Sequence, residues 1–455
     1  MQASIEVFKG MRKILILGAG RSASSLIHHL IGNAGARNWH VTIADREISH
    51  VRPLIGDHVD AASAIALDAT DAAARADLIA KADLVISMLP AFMHMDVLKD
   101  CLRLKKHVIT PSYVPDALWA MAKEFEDAGL IVLNEMGLDP GIDHMSAMRI
   151  IDRIKAKGGA VTLFESYCGG LVAPESDDNP WGYKFSWNPR NVILAGQGGA
   201  AKYIRNGTTK YIPYHKLFQR STRVPIEGVG EFDGYANRDS LKYRAAYGIE
   251  RIPTLIRGTL RKAGYCEAWD AFVQLGCTDD TYLLELGAQN TWKDYLNAFL
   301  PHSAELGIKE NFANYLRINA KGEVVKKFEW LGLFSDTPIG VAGLSPAATL
   351  QHLLEQKWKL GPTDKDMVVM WHRFNYSIGK KQHELHASLT VIGQDQVHTA
   401  MARTVGLPIA IACGLLLDGK ISERGVLLPV KPEIYDPVLD ELEKFGVVFE
   451  EKELV

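Results

Sequence analysis

"KILILGAGRSASSLIHHLI", residues 13–31, is the stretch from which the fold is read. Its first five residues form an aliphatic run without alternation, as in a strand covered on both faces. Gly18, Gly20 and Ala23 follow in the spacing G-x-G-x-x-A. The first glycine of such a pattern permits a tight turn and the second lets the backbone approach a pyrophosphate. The small third residue lets the next helix sit close to the sheet. The helix start then offers N–H groups and the positive end of a dipole to phosphate. Any tight strand-to-helix turn can produce the glycines alone, so their weight comes from context.

The context is regular. "HVTIA" (40–44) is a second strand ending in Asp45, where a dinucleotide fold carries its ribose-binding acid. Further apolar runs lie at 65–67, 84–88, 107–110 and 130–133, with helix starts expected near Asp71, His94 and Asp116. This βα alternation predicts an α/β, Rossmann-like doubly wound parallel sheet over residues 1–145. Asp45 would accept hydrogen bonds from ribose hydroxyls and repel a 2′-phosphate, which favours NAD over NADP. Arg46 beside it either pairs with that phosphate, stacks on adenine, or is a solvated charge.

Ligands of such sheets lie beyond the carboxyl ends of the strands. There the chain places "SMLPAFMH" (87–94), "TPSYVP" (110–115) and "NEMGLDPGIDH" (134–144). Asp139 precedes Pro140-Gly141, a pair suited to a tight turn, so the backbone would set its direction. It is a candidate for acid–base work or for binding an ammonium group; the plainer reading is a turn-stabilising aspartate. Tyr113 either donates through its phenol or only packs. Asp143 and His144 are expected to cap and orient the helix that follows.

The bulk composition narrows the function classes. The chain has 455 residues, 47% hydrophobic and 23% charged, enough for two or three domains with their own cores. A net charge of −3 supplies no basic field for nucleic acid. The 5 cysteines contain no C-x-x-C pair, which argues against a zinc ribbon, any other metal site or a disulfide framework. "MQASIEVFKGMRK" lacks an apolar signal core, and the longest apolar run, 407–417, is interrupted by Pro408 and Gly414. It falls short of the roughly 18 residues of a membrane helix. The expectation is a soluble cytoplasmic protein with no membrane partner.

Past residue 155 the alternation lapses. Residues 146–253 and 317–397 read as a mixed-sheet domain for substrate binding and dimerisation. Its candidate strands are 224–227, 324–330 and a long antiparallel pair, "MVVMWHRFNYSI" with "KQHELHASLTVIG", about Gly379-Lys380. In "AVTLFESYCGGLVAPES" an alternating strand is expected to break at Gly169-Gly170. Residues 254–316 read as a helical insertion, with "IRGTLRK" at a helix start carrying Arg257 and Arg261. "HTAMARTVGLPIAIACGLLLDG" (398–419) reads as a buried helix after a proline-bearing start, and residues 398–455 return to the first domain. Single arginines are solvated by default; their weight rises if the substrate carries carboxylates, which guanidinium matches with two parallel bonds.

"NEMGLDPGIDH", "SYCGGL", "APES", "GYKFSW", "NRDS", "IRGTLR" and "MARTVGLP", in that order, resemble the motifs of the glutamate-forming saccharopine dehydrogenases, or saccharopine reductases. The resemblance covers nearly the whole chain. It implies a pyridine-nucleotide enzyme of lysine metabolism that interconverts saccharopine with glutamate and 2-aminoadipate 6-semialdehyde. It also implies a homodimer whose partner molecules are small amino-acid substrates. Carried onto this chain, the nucleotide loop falls on Gly18, Ala19, Gly20, Arg21 and Ser22. The adenosine end falls on Asp45, Arg46 and Asp68, and the nicotinamide side on Met88, Leu89 and Pro90. Substrate positions fall on Ser112, Tyr113, Asp139, Arg238, Thr259, Leu260 and Arg261, and Cys168 becomes a candidate second proton carrier. Asp45 is a departure, because the fungal NADP-dependent members have no acid there. Two competing readings are an imine reductase for polyamine-derived substrates and a catalytically silent nucleotide-binding regulator.

Overall fold

The computed structural model describes residues 10–454, so the first nine residues of "MQASIEVFKGMRK" lie outside the described residues. The first strands are β1 (Arg12–Leu17), β2 (Trp39–Asp45), β3 (Ala62–Ala66), β4 (Leu84–Ser87), β5 (His107–Ile109) and β6 (Ile131–Leu133). The middle of the chain adds β7 (Gly159–Val172), β8 (Ala201–Arg205), β9 (Thr208–Ile212) and β10 (Thr222–Ile226). Then come β11 (Gly230–Ala236), β12 (Thr254–Lys262), β13 (Asp366–Ile378) and β14 (Lys381–Ile392). The chain closes with β15 (Gly425–Leu427) and β16 (Phe449–Glu453).

Two compact units result. The first runs to Arg153 and resumes over Val397–Val448; the second comprises Ile154–Gln396 and Phe449–Val455. The first unit holds a parallel sheet in the order β15-β6-β5-β4-β1-β2-β3. Ile14 to Leu17, Val85 and Val132 are almost completely buried, which explains why these strands read as continuous apolar runs. The helices over Ala72–Lys81, His94–Leu104 and Asp116–Ala120 start where the sequence places them, and Asp71 caps the first through the N–H groups of Ala73 and Ala74. β15 adds a strand beyond β6, and β16 leaves this unit to pair with β14, so the C-terminal return is split between the units.

Ala400–Leu417 is one helix of 18 residues with Pro408 inside it, not at its start. It is long and apolar enough by composition to cross a membrane, and 83% of it is buried inside the protein. Length alone therefore does not decide its character; its burial is that of a core helix.

The second unit is a mixed sheet in the order β10-β11-β12-β7-β13-β14-β16, with β8 and β9 attached at β12. β7 and β12 run parallel and their other neighbours antiparallel. The long β13–β14 hairpin forms about Gly379 as the alternation predicts. Three expectations are corrected here. Thr254–Lys262 is an interior strand, so the helices occupy Tyr265–Leu275, Trp292–Asn297, Ile308–Leu316, Glu323–Leu331 and Pro346–Lys357. Residues 324–330 lie in a helix because Val324, Phe328 and Leu331 recur at helical spacing and are buried on one face. The Gly169-Gly170 pair does not end β7. A Cβ at Gly169 would lie 2.6 Å from the Leu260 carbonyl oxygen, so the glycine permits close packing of two strands.

Candidate functional site

The nucleotide loop is built from three strand ends of the first unit. Gly18 takes φ +89°, and a Cβ there would approach the backbone of Met88 at 3.1 Å. Its N–H donates to the Ala44 carbonyl, and Met88 N–H donates to the Leu17 carbonyl. Gly20 has nothing within 4 Å of an added Cβ, leaving open space where a phosphate would approach. The helix Ser24–Arg37 begins at Ala23 with no side-chain cap, so its first N–H groups are not satisfied in that way. These features fit a dinucleotide. Arg21, Arg46 and Pro90 are exposed at its rim, whereas Ser22, Met88 and Leu89 are half-buried.

Asp45 does something the sequence does not show. Its Oδ2 accepts the Ala19 N–H at 2.7 Å and its Oδ1 accepts the Glu47 N–H at 3.0 Å. His50 Nε2 lies 2.9 Å from the carbonyl oxygen of the same residue, Ala19, in the next peptide unit of the loop. The carboxylate thus braces the glycine loop, a task independent of what the ribose carries. Asp68 accepts both the N–H and the hydroxyl of Thr70 through Oδ1. The Thr70 hydroxyl and amide, with Arg46 nearby, hold the Asp68 carboxyl below its ordinary range.

At the carboxyl end of β4 a second network forms. His94 is 4% exposed; its Nδ1 lies 2.8 Å from the Ser87 hydroxyl and its Nε2 2.7 Å from the Ser112 hydroxyl. Burial pulls the imidazole down from 6.5 to about 4. The unfolded chain therefore binds the extra proton between those values, and stability held above pH 6.5 is lost as pH falls towards 4. Between pH 7 and 4.5 this group is expected to remove about 2–3 kcal/mol, and His94→Asn, which cannot titrate, to lose that much less. Urea denaturation of both proteins at the two pH values reads the difference; equal losses would refute the assignment.

Beside it lies the pair the sequence singles out. Tyr113 Oη donates to Asp139 Oδ1 at 3.0 Å, and both side chains are half-buried. Asp139 sits in a loop closed on itself: Gly137 N–H donates to the Pro140 carbonyl at 3.0 Å and Ile142 N–H to the Gly137 carbonyl at 2.9 Å. Asp143 Oδ1 accepts the Gly141 N–H at 2.6 Å, so it orients this turn at the start of the helix Ile142–Ala156. His144, fully buried, places Nε2 2.8 Å from Glu135 Oε2. Glu135, His94 and His50 belong to the site's framework although the sequence reading gave them no role there. His94 and Glu135 were legible as residues of loops beyond strand ends; their partners were not.

In the second unit, register decides which side chains share a face. Ser166 lies opposite Arg257 and Cys168 opposite Thr259, so these four point the same way, with Arg261 two residues on. Arg257 is 5% exposed and lies 4.4 Å from the Tyr243 ring centre. Arg261 is 3% exposed, with its guanidinium 5.2 Å from Tyr183 and 5.6 Å from Tyr265. Its Nη1 donates to the Leu260 carbonyl, while Nε has no hydrogen-bond partner among the described residues. Leu260 faces the other way, into the apolar cluster with Tyr167, Ile256 and Trp371. Only its main chain is available on the polar face. Arg238 is exposed, with φ +40°.

A Rossmann-like sheet with an open glycine loop, followed by a mixed-sheet unit presenting arginines, defines a two-unit pyridine-nucleotide oxidoreductase. The chain belongs to the saccharopine dehydrogenase family. Residues 14–133 match the saccharopine dehydrogenase NADP binding domain and residues 137–447 the saccharopine dehydrogenase C-terminal domain. It is 36% identical over 450 residues to the saccharopine dehydrogenase [NADP(+), L-glutamate-forming] of Saccharomyces cerevisiae, covering 97% of this chain and 99% of that one. The enzyme of the same name from Pyricularia oryzae is 36% identical over 454 residues, with 97% and 99% covered. The structure of apo saccharopine dehydrogenase (L-Glu forming) from Saccharomyces cerevisiae superposes with a TM-score of 0.86 at 36% identity, covering 98% of this chain and 100% of that one. The preference for NAD drawn from Asp45 finds no support here, since the matching domain and these relatives are NADP types. Each Asp45 oxygen accepts a loop N–H, so the residue has a bracing role whichever nucleotide binds.

Proposed function

We propose that this protein oxidises saccharopine with NADP, in preference to NAD, to L-glutamate and 2-aminoadipate 6-semialdehyde, and catalyses the reverse. The observation that carries the proposal is the Tyr113–Asp139 hydrogen bond of 3.0 Å at the nucleotide-facing ends of β5 and β6. When bound, the nicotinamide supplies a hydride acceptor for the carbon beside the amine nitrogen. Asp139 takes the proton of the secondary amine, and Tyr113, already donating to Asp139, moves protons around the water that enters the imine. Cys168, 5% exposed on the same sheet face as Thr259, is the second proton carrier of this scheme. Arg238 and Arg261 hold carboxylates; a buried guanidinium with an unsatisfied Nε suits that task.

The test is the initial rate of reduced-nicotinamide absorbance with saccharopine and each nucleotide, with glutamate assayed as product. A larger kcat/KM with NADP is expected, and Asp45→Ala is expected to weaken either nucleotide through the loop it braces. Preference for NAD would restore the ribose reading of Asp45. Absence of glutamate with both nucleotides would overturn the reaction.

A further inference from the structure

Glu135 has no part in the scheme above, yet it touches both halves of the Tyr113–Asp139 pair's support. It is 3% exposed and takes φ +58°, a left-handed conformation that a residue with a side chain keeps only where its surroundings impose it. Its own N–H donates to the Ser112 carbonyl at 3.2 Å. Its Oε1 accepts the Val114 N–H at 3.0 Å. One residue therefore holds the peptide groups on both sides of Tyr113. Its other oxygen, Oε2, lies 2.8 Å from Nε2 of His144, in the first turn of the helix that follows the Asp139 loop. His144 Nδ1 in turn faces the Asp143 carboxylate at 3.7 Å, and Asp143 holds the Gly141 N–H.

We infer that Glu135 is the positioning residue of the site, a buried tie whose carboxylate fixes the segment carrying Tyr113 to the turn carrying Asp139. The role depends on reach and hydrogen-bond geometry. Its charge is dispensable, because a neutral amide of the same length meets both partners. Such an amide accepts the Val114 N–H through its oxygen and donates to His144 Nε2 once that imidazole carries its proton on Nδ1, on the Asp143 side. Both ends of the tie lie within a few residues of the reacting groups, where a small displacement costs up to about 100-fold in rate.

The catalytic readout rests on the proposed saccharopine reaction, so it is paired with one that does not. Glu135→Gln keeps the length and the Val114 contact, and keeps the His144 contact with its direction reversed and the imidazole proton on Nδ1. Glu135→Asp keeps the charge and withdraws the carboxylate by one methylene. Glu135→Gly removes the side chain and tolerates the left-handed backbone. Expected kcat is within about threefold of wild type for Gln, and about 10- to 100-fold down for Asp and Gly. Dissociation constants for NADP should stay within about threefold throughout, since the glycine loop is untouched. In parallel, amide hydrogen exchange of residues 112–114 should be faster in the Asp and Gly variants and unchanged in Gln.

Higher turnover and slower exchange in Gln than in Asp is what reach requires; lower turnover and faster exchange in Gln than in Asp would mean that the charge acts, and would overturn the inference. Unchanged exchange at 112–114 in the Asp variant would overturn it too, whatever the turnover. A wild-type protein inactive on saccharopine would refute the proposed reaction alone, because the exchange ordering is read without substrate. Should Glu135→Gly fail to fold, the Gln and Asp pair still decides.

Discussion

Replacing Asp139 with asparagine is expected to lower kcat by about 10²- to 10⁴-fold while leaving NADP affinity near that of the wild type. Asparagine retains an oxygen to accept the Tyr113 hydroxyl, which the carboxylate accepts at 3.0 Å, so the geometry of the pair survives. It cannot accept a proton, so only the acid–base function is lost. Removing a group that acts on the reacting atoms lowers kcat and kcat/KM together, whereas removing a binding contact raises KM. The nucleotide should be indifferent, because its loop is braced by Asp45 and His50. Stopped-flow and steady-state rates, with NADP titrated by fluorescence, provide the comparison. Wild-type turnover in Asp139→Asn would reduce Asp139 to a turn residue and leave the proton transfer to other groups.

The largest loss of stability is expected from Gly141→Ala. Gly141 takes φ +148°, and a Cβ there would lie 2.0 Å from the Gly137 carbonyl oxygen and 2.4 Å from its carbonyl carbon. Those atoms belong to the backbone and cannot swing aside. The same carbonyl accepts Ile142 N–H, and Gly141 N–H is held by Asp143. Opening the loop to admit a methyl group therefore breaks several buried hydrogen bonds as well as straining φ. A destabilisation above about 4 kcal/mol is expected. It would be seen as a lower midpoint in urea with an unchanged slope. A wild-type midpoint would show that the turn opens at little cost and that Asp139 is not rigidly aimed.

Much of the first unit was legible in the chain. Strands buried on both faces must be aliphatic throughout, so Ile14–Leu17 of β1, β4 and β6 announce themselves without any partner being known. A strand that must turn sharply into a phosphate-binding helix needs glycine at Gly18, and Gly18 does lie against Met88. Asp139 was legible as well, because Pro-Gly after an acid at a strand end leaves few conformations.

Elsewhere local pattern and tertiary pairing diverged. "IRGTLRK" carries Arg257, Thr259 and Arg261 at a spacing compatible with either a helix or a strand. Pairing with β7 and β11 made it a strand, and only that choice aligns the three with Cys168 on one face. Conversely, residues 324–330 read as a strand, but burial of Val324, Phe328 and Leu331 on one face rewards a helix. Propensity differs by fractions of a kcal/mol per residue, and burial of one large side chain outweighs it.

Sequence by itself determined the glycine loop and the Asp139 turn, because each rests on chemistry confined to a few neighbouring residues, and the parallel sheet and the family, because their signals repeat along the chain. Only the tertiary structure decided what Asp45 and Glu135 do. An acid's partners are set by which strand ends and peptide N–H groups the fold brings within 3 Å or so, and those partners lie 26 residues away for Asp45 and 21 for Glu135.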